Sequence, residues 1–238
     1  MGFSNQSNYR SVYYLKQYND SYFRIIHVFK ERITAFDLDE AGSKRSLDQD
    51  EVERISLSRT KRNIREICFC NDFQLFATFT INSKSADRFS LEECQNVLKK
   101  HLKAYRRTYK NFRYIIITEK HKNGAFHFHG MVKGMEDIYP NENGFLSSYH
   151  FDKLGYNSFS KINDYNKCCN YMTKYMSKDL VKNEHNQIYF CSRGLKKADK
   201  YEINIPFDLH WQYENDYVQI LDSYKMKKED MKKLLTLK

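Results

Sequence analysis

The sequence predicts an α+β fold, a central antiparallel sheet with helices packed on one face. Three observations carry this expectation. Between residues 75 and 193 the apolar patterning runs strand, helix, strand, strand, helix, strand. The two middle strands flank Lys122-Asn123-Gly124, which has the turn chemistry of a hairpin. The helix before them opens on Ser90 with Glu93 three residues on, a capping-box signal.

The elements follow in order. Tyr22 to Leu38 is rich in aromatic and β-branched residues and suits a hairpin, and Asp37 to Asp50 is a polar loop or linker. Glu51 to Cys70 reads as a basic amphipathic helix with Val52, Ile55, Leu57, Ile64 and Ile67 among Arg and Lys. Its basic face suits a phosphate backbone as well as it suits plain solvation. LFATFTI (75–81) is a strand with Phe76, Thr78 and Thr80 on one face. Leu91, Cys94, Leu98, Leu102, Tyr105 and Tyr109 recur at helical spacing, and Arg106, Arg107 and Lys110 close that helix, as its dipole favours. FRYIIITE (112–119) and AFHFHGMV (125–132) form the hairpin. Residues 134–160 read as a loop, Asp164 to Leu180 as a helix and 187–193 as a strand ending at Gly194. The tail carries Pro206, the single Trp211 and a basic helix from about Lys225 to Lys238.

Composition bounds the function. The 238 residues suggest one domain with decorations, with enough chain for a core without disulfides. No apolar run approaches the roughly 20 residues that span a bilayer, and the start lacks a secretory pattern, so a cytoplasmic protein with no membrane contact is expected. Aromatics at 16% exclude a disordered chain. Lys and Arg exceed Asp and Glu by 40 to 30, a net charge of +10 that points to a polyanion such as nucleic acid. The six cysteines, Cys68, Cys70, Cys94, Cys168, Cys169 and Cys191, lack zinc spacing and read as reduced, small buried residues.

Two clusters carry chemistry. In His127-Phe128-His129 the histidines share a strand face, and Glu119 ends the facing strand. Two imidazoles and a carboxylate leave coordination positions open, which suits a divalent cation that also binds phosphate oxygens and water. The second cluster is Asn170-Tyr171-Met172-Thr173-Lys174-Tyr175-Met176-Ser177-Lys178. At about 100° per residue, Tyr171, Lys174, Tyr175 and Lys178 fall on one arc, and Tyr165, Cys169, Met172, Met176 and Leu180 on a core arc. A lysine beside each phenol favours the phenolate, a nucleophile for a phosphodiester. A second tyrosine four residues on would permit a second transfer.

With these residues the chain resembles the HUH endonucleases that initiate rolling-circle replication. Phe76-Ala-Thr-Phe-Thr80 matches the family's threonine-bearing strand, and His127-Phe128-His129 its His-hydrophobic-His motif. Glu119 holds the position of the extra metal ligand, and Tyr-x-x-Lys recurs at Tyr171/Lys174 and Tyr175/Lys178. The doubled tyrosine is similar to the replication initiators of small single-stranded DNA phages and related plasmid-type elements. Ser192-Arg193-Gly194-Leu195 also looks like a segment of phage-type members. The resemblance covers about residues 50–200.

It implies a ferredoxin-like core that nicks and rejoins single-stranded DNA at an origin with Mg²⁺ or Mn²⁺. Glu119, His127 and His129 would be ligands, Tyr171 the first and Tyr175 the second nucleophile, with Lys174 and Lys178 assisting. Arg106, Arg107, Lys110 and Arg193 would hold DNA. The expected organisation is an N-terminal extension (1–50) without an assigned role, the endonuclease domain (51–204) and a C-terminal extension (205–238). No phosphate-binding loop of a helicase occurs, so a host helicase and polymerase are the expected partners. The alternatives are a catalytically silent origin-binding or repressor module and a relaxase or transposase of the same superfamily. An RNA-binding protein has no recognisable aromatic motif here. Nothing in the sequence indicates an oligomeric state.

Overall fold

The computed structural model describes residues 9–20, 22–32, 49–174, 187–214 and 218–236. The chain opens with β1 (Tyr9–Gln17), β2 (Phe23–Arg32), α1 (Gln49–Cys70), β3 (Leu75–Ile81) and α2 (Leu91–Thr108). Next come β4 (Arg113–Lys120), β5 (Phe126–Lys133), β6 (Ile138–Pro140), β7 (Leu146–Ser148), α3 (Tyr149–Asp152), β8 (Gly155–Lys161) and α4 (Tyr165–Tyr171). β9 (Tyr189–Cys191), β10 (Asp199–Ile203), β11 (Tyr213–Glu214), β12 (Val218–Asp222) and α5 (Lys228–Leu235) follow. Two units result, one of residues 48–196 and one that joins 1–47 with 197–238.

The larger unit is built on an antiparallel sheet of order β6-β7-β8-β3-β5-β4-β9. The α+β class is as the patterning predicts. Leu75, Ala77, Phe79 and Ile81 of β3 are buried against Leu91, Cys94, Leu98, Leu102 and Tyr105 of α2. Ser90 caps α2 by accepting from the Glu93 N–H at 3.4 Å. The return half of the expected capping box is displaced: the Glu93 carboxylate accepts instead from the Asp87 N–H at 3.0 Å.

The helices lie on both faces rather than one. Phe76 alternates with the α2-facing residues of β3, and the ring of Tyr171 in α4 packs against it. α1 lies with α4: Arg65 donates to the Asn170 side chain at 2.7 Å. The Tyr165 phenol reaches the Cys68 and Asn71 carbonyls and accepts from the Phe73 N–H. Cover on both faces explains the unbroken apolar run of β4, where Ile115, Ile116, Ile117 and Thr118 are all fully buried.

The stretch 134–160 is not a loop. It contains β6, β7, α3 and most of β8, which pairs with β3 from Leu75↔Lys161 to Ile81↔Gly155. Three-residue strands and the polar run Gly-Tyr-Asn-Ser-Phe-Ser-Lys give no periodic apolar signal. Gly155 has φ +141°, and a Cβ there would sit 2.2 Å from the Thr80 carbonyl, so the β8–β3 approach requires glycine. The buried Asn157 accepts from the Ser148 N–H and donates to Asp152, which satisfies its amide.

Two further expectations change. α4 ends at Tyr171 and continues as a turn through 174, and the remainder of the expected helix (175–180) lies outside the described residues. Of the cysteines, Cys68, Cys70, Cys94 and Cys169 are buried as expected, Cys168 is half-buried, and Cys191 is exposed on the edge strand β9. All six are free thiols.

The smaller unit unites the N-terminal and C-terminal extensions, and it also takes 197–204, which the sequence placed in the larger domain, because β10 pairs with β1. Its sheet has the order β10-β1-β2-β12-β11, and its hairpin is β1 with β2. The hairpin expected over 22–38 is not the one found, since Phe23–Arg32 is a single strand that pairs with the preceding Tyr9–Gln17, and 33–38 lies outside the described residues. Ile25, Ile205, Leu209 and Leu221 form its core, flanked by Tyr13, Leu15 and Trp211. Arg24 binds both oxygens of Asp222, at 2.6 and 2.9 Å, and Tyr22 donates to the same carboxylate. α5 is shorter than the helix read over 225–238. Among the described residues no helix is long and apolar enough to cross a membrane.

Candidate active site

β5 lies between β3 and β4, and the registers set rows of side chains across one sheet face. One row is Thr80, His127 and Glu119; the next is Thr78, His129 and Ile117. The single-residue spacing of His127-Phe128-His129 thus sends both imidazoles to the face of Phe76, Thr78 and Thr80. Phe128 goes into the core under α2.

Each imidazole is held from β3. Thr78 Oγ1 is 3.2 Å from His129 Nδ1, and Thr80 Oγ1 is 3.0 Å from His127 Nδ1. Glu119 stands opposite His127 in register, but its carboxylate reaches the diagonal neighbour: Oε2 is 2.6 Å from His129 Nε2. A hydroxyl donates or accepts equally well, so each threonine can serve either imidazole tautomer. With Nδ1 accepting from Thr78, Nε2–H donates to Glu119; with Nδ1–H donating to Thr78, Nε2 offers a lone pair.

Both histidines sit below their ordinary pKa. Burial is the main cause at His127, reinforced by the fields of His121, His129 and Arg88 and opposed by Glu119. At His129 burial again dominates, opposed by Glu119. The imidazoles are therefore neutral at pH 7, the form in which they ligate a metal.

The donor set suits a divalent cation in three respects: ligand type, neutral imidazoles, and Nδ1 anchored by a second residue. Glu119 and His129 are already in contact. His127 has not joined them, and among the described residues no three His, Cys, Asp or Glu side chains converge tightly enough to grip an ion.

The region of the expected nucleophile reaches the same face. Phe76 stacks on His129 with ring centroids 5.8 Å apart, and Tyr171 meets Phe76 edge-on at 5.4 Å. Phe76 is thus the spacer between the imidazole and the phenol. Tyr171 is 37% exposed, while Cys169 and Met172 of the expected core arc are buried. Lys174 is exposed one turn on, its N–H donating to the Tyr171 carbonyl at 2.9 Å. Tyr175 and Lys178 lie outside the described residues.

The expected DNA-holding residues form a separate group. Arg106 donates to the Arg193 carbonyl at 2.9 Å, and Arg107, Lys110 and Arg193 are exposed. Arg106 and Arg107 belong to α2, on the face opposite the histidines. Sequence reasoning had Thr78 and Thr80 on a shared face without their role, and it missed Phe76 as spacer. It also missed His121, whose ring lies 5.0 Å from His127, and Arg88, whose Nε is enclosed with no hydrogen-bond partner among the described residues. The alternation Phe76-x-Thr78-x-Thr80 opposite His-x-His was the available signal.

Comparison with known proteins bears on the same stretch. No curated protein and no solved structure matches the chain. Residues 74–180, which run from the start of β3 past the end of α4, match the family model of replication-associated protein ORF2/G2P, so the part of the chain that carries this site is similar to replication-associated proteins.

Proposed function

We propose that the protein is a replication initiator that nicks and rejoins single-stranded DNA through a phosphotyrosine intermediate. One observation supports this above the others: Glu119, His127 and His129 share a sheet face with Tyr171, which is linked to His129 through the ring of Phe76. The Tyr171 oxygen, having lost its proton, attacks the scissile phosphorus. The bond to the 3′-oxygen breaks, and that oxygen takes up a proton as a free 3′-hydroxyl. The 5′-phosphate stays on tyrosine, and the reverse attack reseals the strand. Lys174, one turn away, favours the phenolate. Mg²⁺ or Mn²⁺ held by Glu119, His127 and His129 would neutralise the non-bridging phosphate oxygens. Thr78 and Thr80 keep the imidazoles aimed, and Tyr175 with Lys178 supplies a second transfer.

The test is covalent capture of labelled single-stranded oligonucleotides that tile a candidate origin. Adduct forms with Mn²⁺ and disappears with EDTA. Tyr171→Phe removes first-strand capture, and the double change with Tyr175→Phe removes all of it. Capture by the double variant refutes the assignment. Tight binding without any cleavage by the unaltered protein supports a silent origin-binding module instead.

A further inference from the structure

The row that holds Thr80, His127 and Glu119 does not end at β3. On the other side of β3, β8 pairs in register and places Tyr156 opposite Thr80 and Ser158 opposite Thr78. Tyr156 therefore shares the face of the two histidines. It is 50% exposed, among the most exposed large side chains described.

An exposed ring on a rigid strand differs from one on a loop. Gly155 lets β8 close on the Thr80 carbonyl. On the opposite face Asn157 is buried and ties the strand to Ser148 and Asp152, and the Asn157 carbonyl accepts from Ser147 at 3.0 Å. The ring is thus presented with its backbone fixed. Two strand spacings, about 10 Å, separate its backbone from that of His127. That is the scale of one or two nucleotides from the atoms that would hold the scissile phosphate.

We propose that Tyr156 is a stacking platform for a nucleobase of the single strand, adjacent to the nicked bond. This rests on the nicking function proposed above. A tyrosine face stacks on any base, so the subsite orders the strand without reading it. The occupant is a base rather than a protein side chain, because the platform continues the row of the phosphate chemistry and the protein carries a net charge of +10.

The experiment uses the full chain and a fluorescent oligo-dT strand without added metal, so that binding is read apart from cleavage. Tyr156→Ala weakens binding about tenfold, Tyr156→Phe stays within about twofold of the unaltered protein, and the melting temperature is unchanged. Irradiation of the same strand carrying 5-iododeoxyuridine yields a crosslinked peptide that contains Tyr156. Binding by Tyr156→Ala equal to that of the unaltered protein, or crosslinks only elsewhere, overturns the proposal. Failure of the unaltered protein to bind or cleave single-stranded DNA overturns the nicking function itself, a distinct result.

Discussion

The two halves of the candidate site are built differently. The sheet half is set by register: β4 and β5 pair over eight residues, and each imidazole shares a hydrogen bond with a threonine of β3. The helix half rests on α4, seven residues long, which is too short to be stable alone. Tyr171 is exposed, and the ties that place it lie at Tyr165, near the start of that helix, and at Asn170, which Arg65 holds. Preorganisation is thus concentrated in the candidate ligands. The candidate nucleophile is positioned through tertiary contacts and is partly exposed.

Removing one group from each half gives the largest expected effects. His129→Ala and Tyr171→Phe each lower nicking by about a thousandfold or more, because the groups act as a unit. The pair separates in calorimetry: His129→Ala abolishes Mn²⁺ binding, and Tyr171→Phe leaves it intact. Equal Mn²⁺ binding by both variants would erase the division between the halves.

The next effect is on aim rather than on the ligand. Thr78→Val keeps shape and removes the hydroxyl on His129 Nδ1, so Mn²⁺ affinity falls about 10- to 100-fold. Thr80→Val does the same through His127. Both variants melt close to the unaltered protein, since neither hydroxyl bridges to the core. A change in melting temperature without a change in affinity would mark these bonds as structural.

Legibility in the sequence follows the same division. His127, His129 and Glu119 were readable because a period of two and a short turn fix what faces what in a hairpin. The helix over 164–180 was readable only as far as Tyr171 can be compared. β8 was missed because its inward residues, Asn157 and Phe159, alternate with Tyr156, Ser158 and Ser160, so no apolar run marks a strand. Its burial is satisfied by hydrogen bonds that only the folded chain assembles. Helices on both faces were missed although Ile115-Ile116-Ile117 already implied them, because a strand covered on one side alternates and this one does not. The pairing of β1 and β2 with β10 and β12 joins the two ends of the chain, and nothing local encodes it.

Tyr165→Phe tests the helix half more gently. Loss of the phenol leaves the Phe73 N–H without that acceptor and costs about 1 kcal/mol of stability, read by denaturant titration. Nicking falls severalfold through kcat, and Mn²⁺ affinity stays constant. A fall in Mn²⁺ affinity would show that the two halves are coupled through α1.

The smallest effect asks whether a depressed histidine marks the site at all. His101 on α2 also sits below its ordinary pKa, through burial first and then His150, Lys100 and Lys153. The His150 ring lies 5.4 Å away and its Nε2 is 3.1 Å from the His101 carbonyl, and His101 Nδ1 is enclosed with no hydrogen-bond partner among the described residues. As pH falls through about 6.5, the unfolded chain protonates before the folded one, so stability declines toward the folded value. His101→Gln cannot titrate and flattens that decline, which denaturant titration of both proteins at pH 7 and pH 5 reads. Mn²⁺ affinity and nicking stay unchanged, because α2 packs on the face away from His127 and His129. The same direction of shift on both faces, with burial the first cause on each, means that a depressed histidine does not by itself mark the site. What distinguishes the candidate ligands is the threonine behind each ring and the carboxylate beside His129.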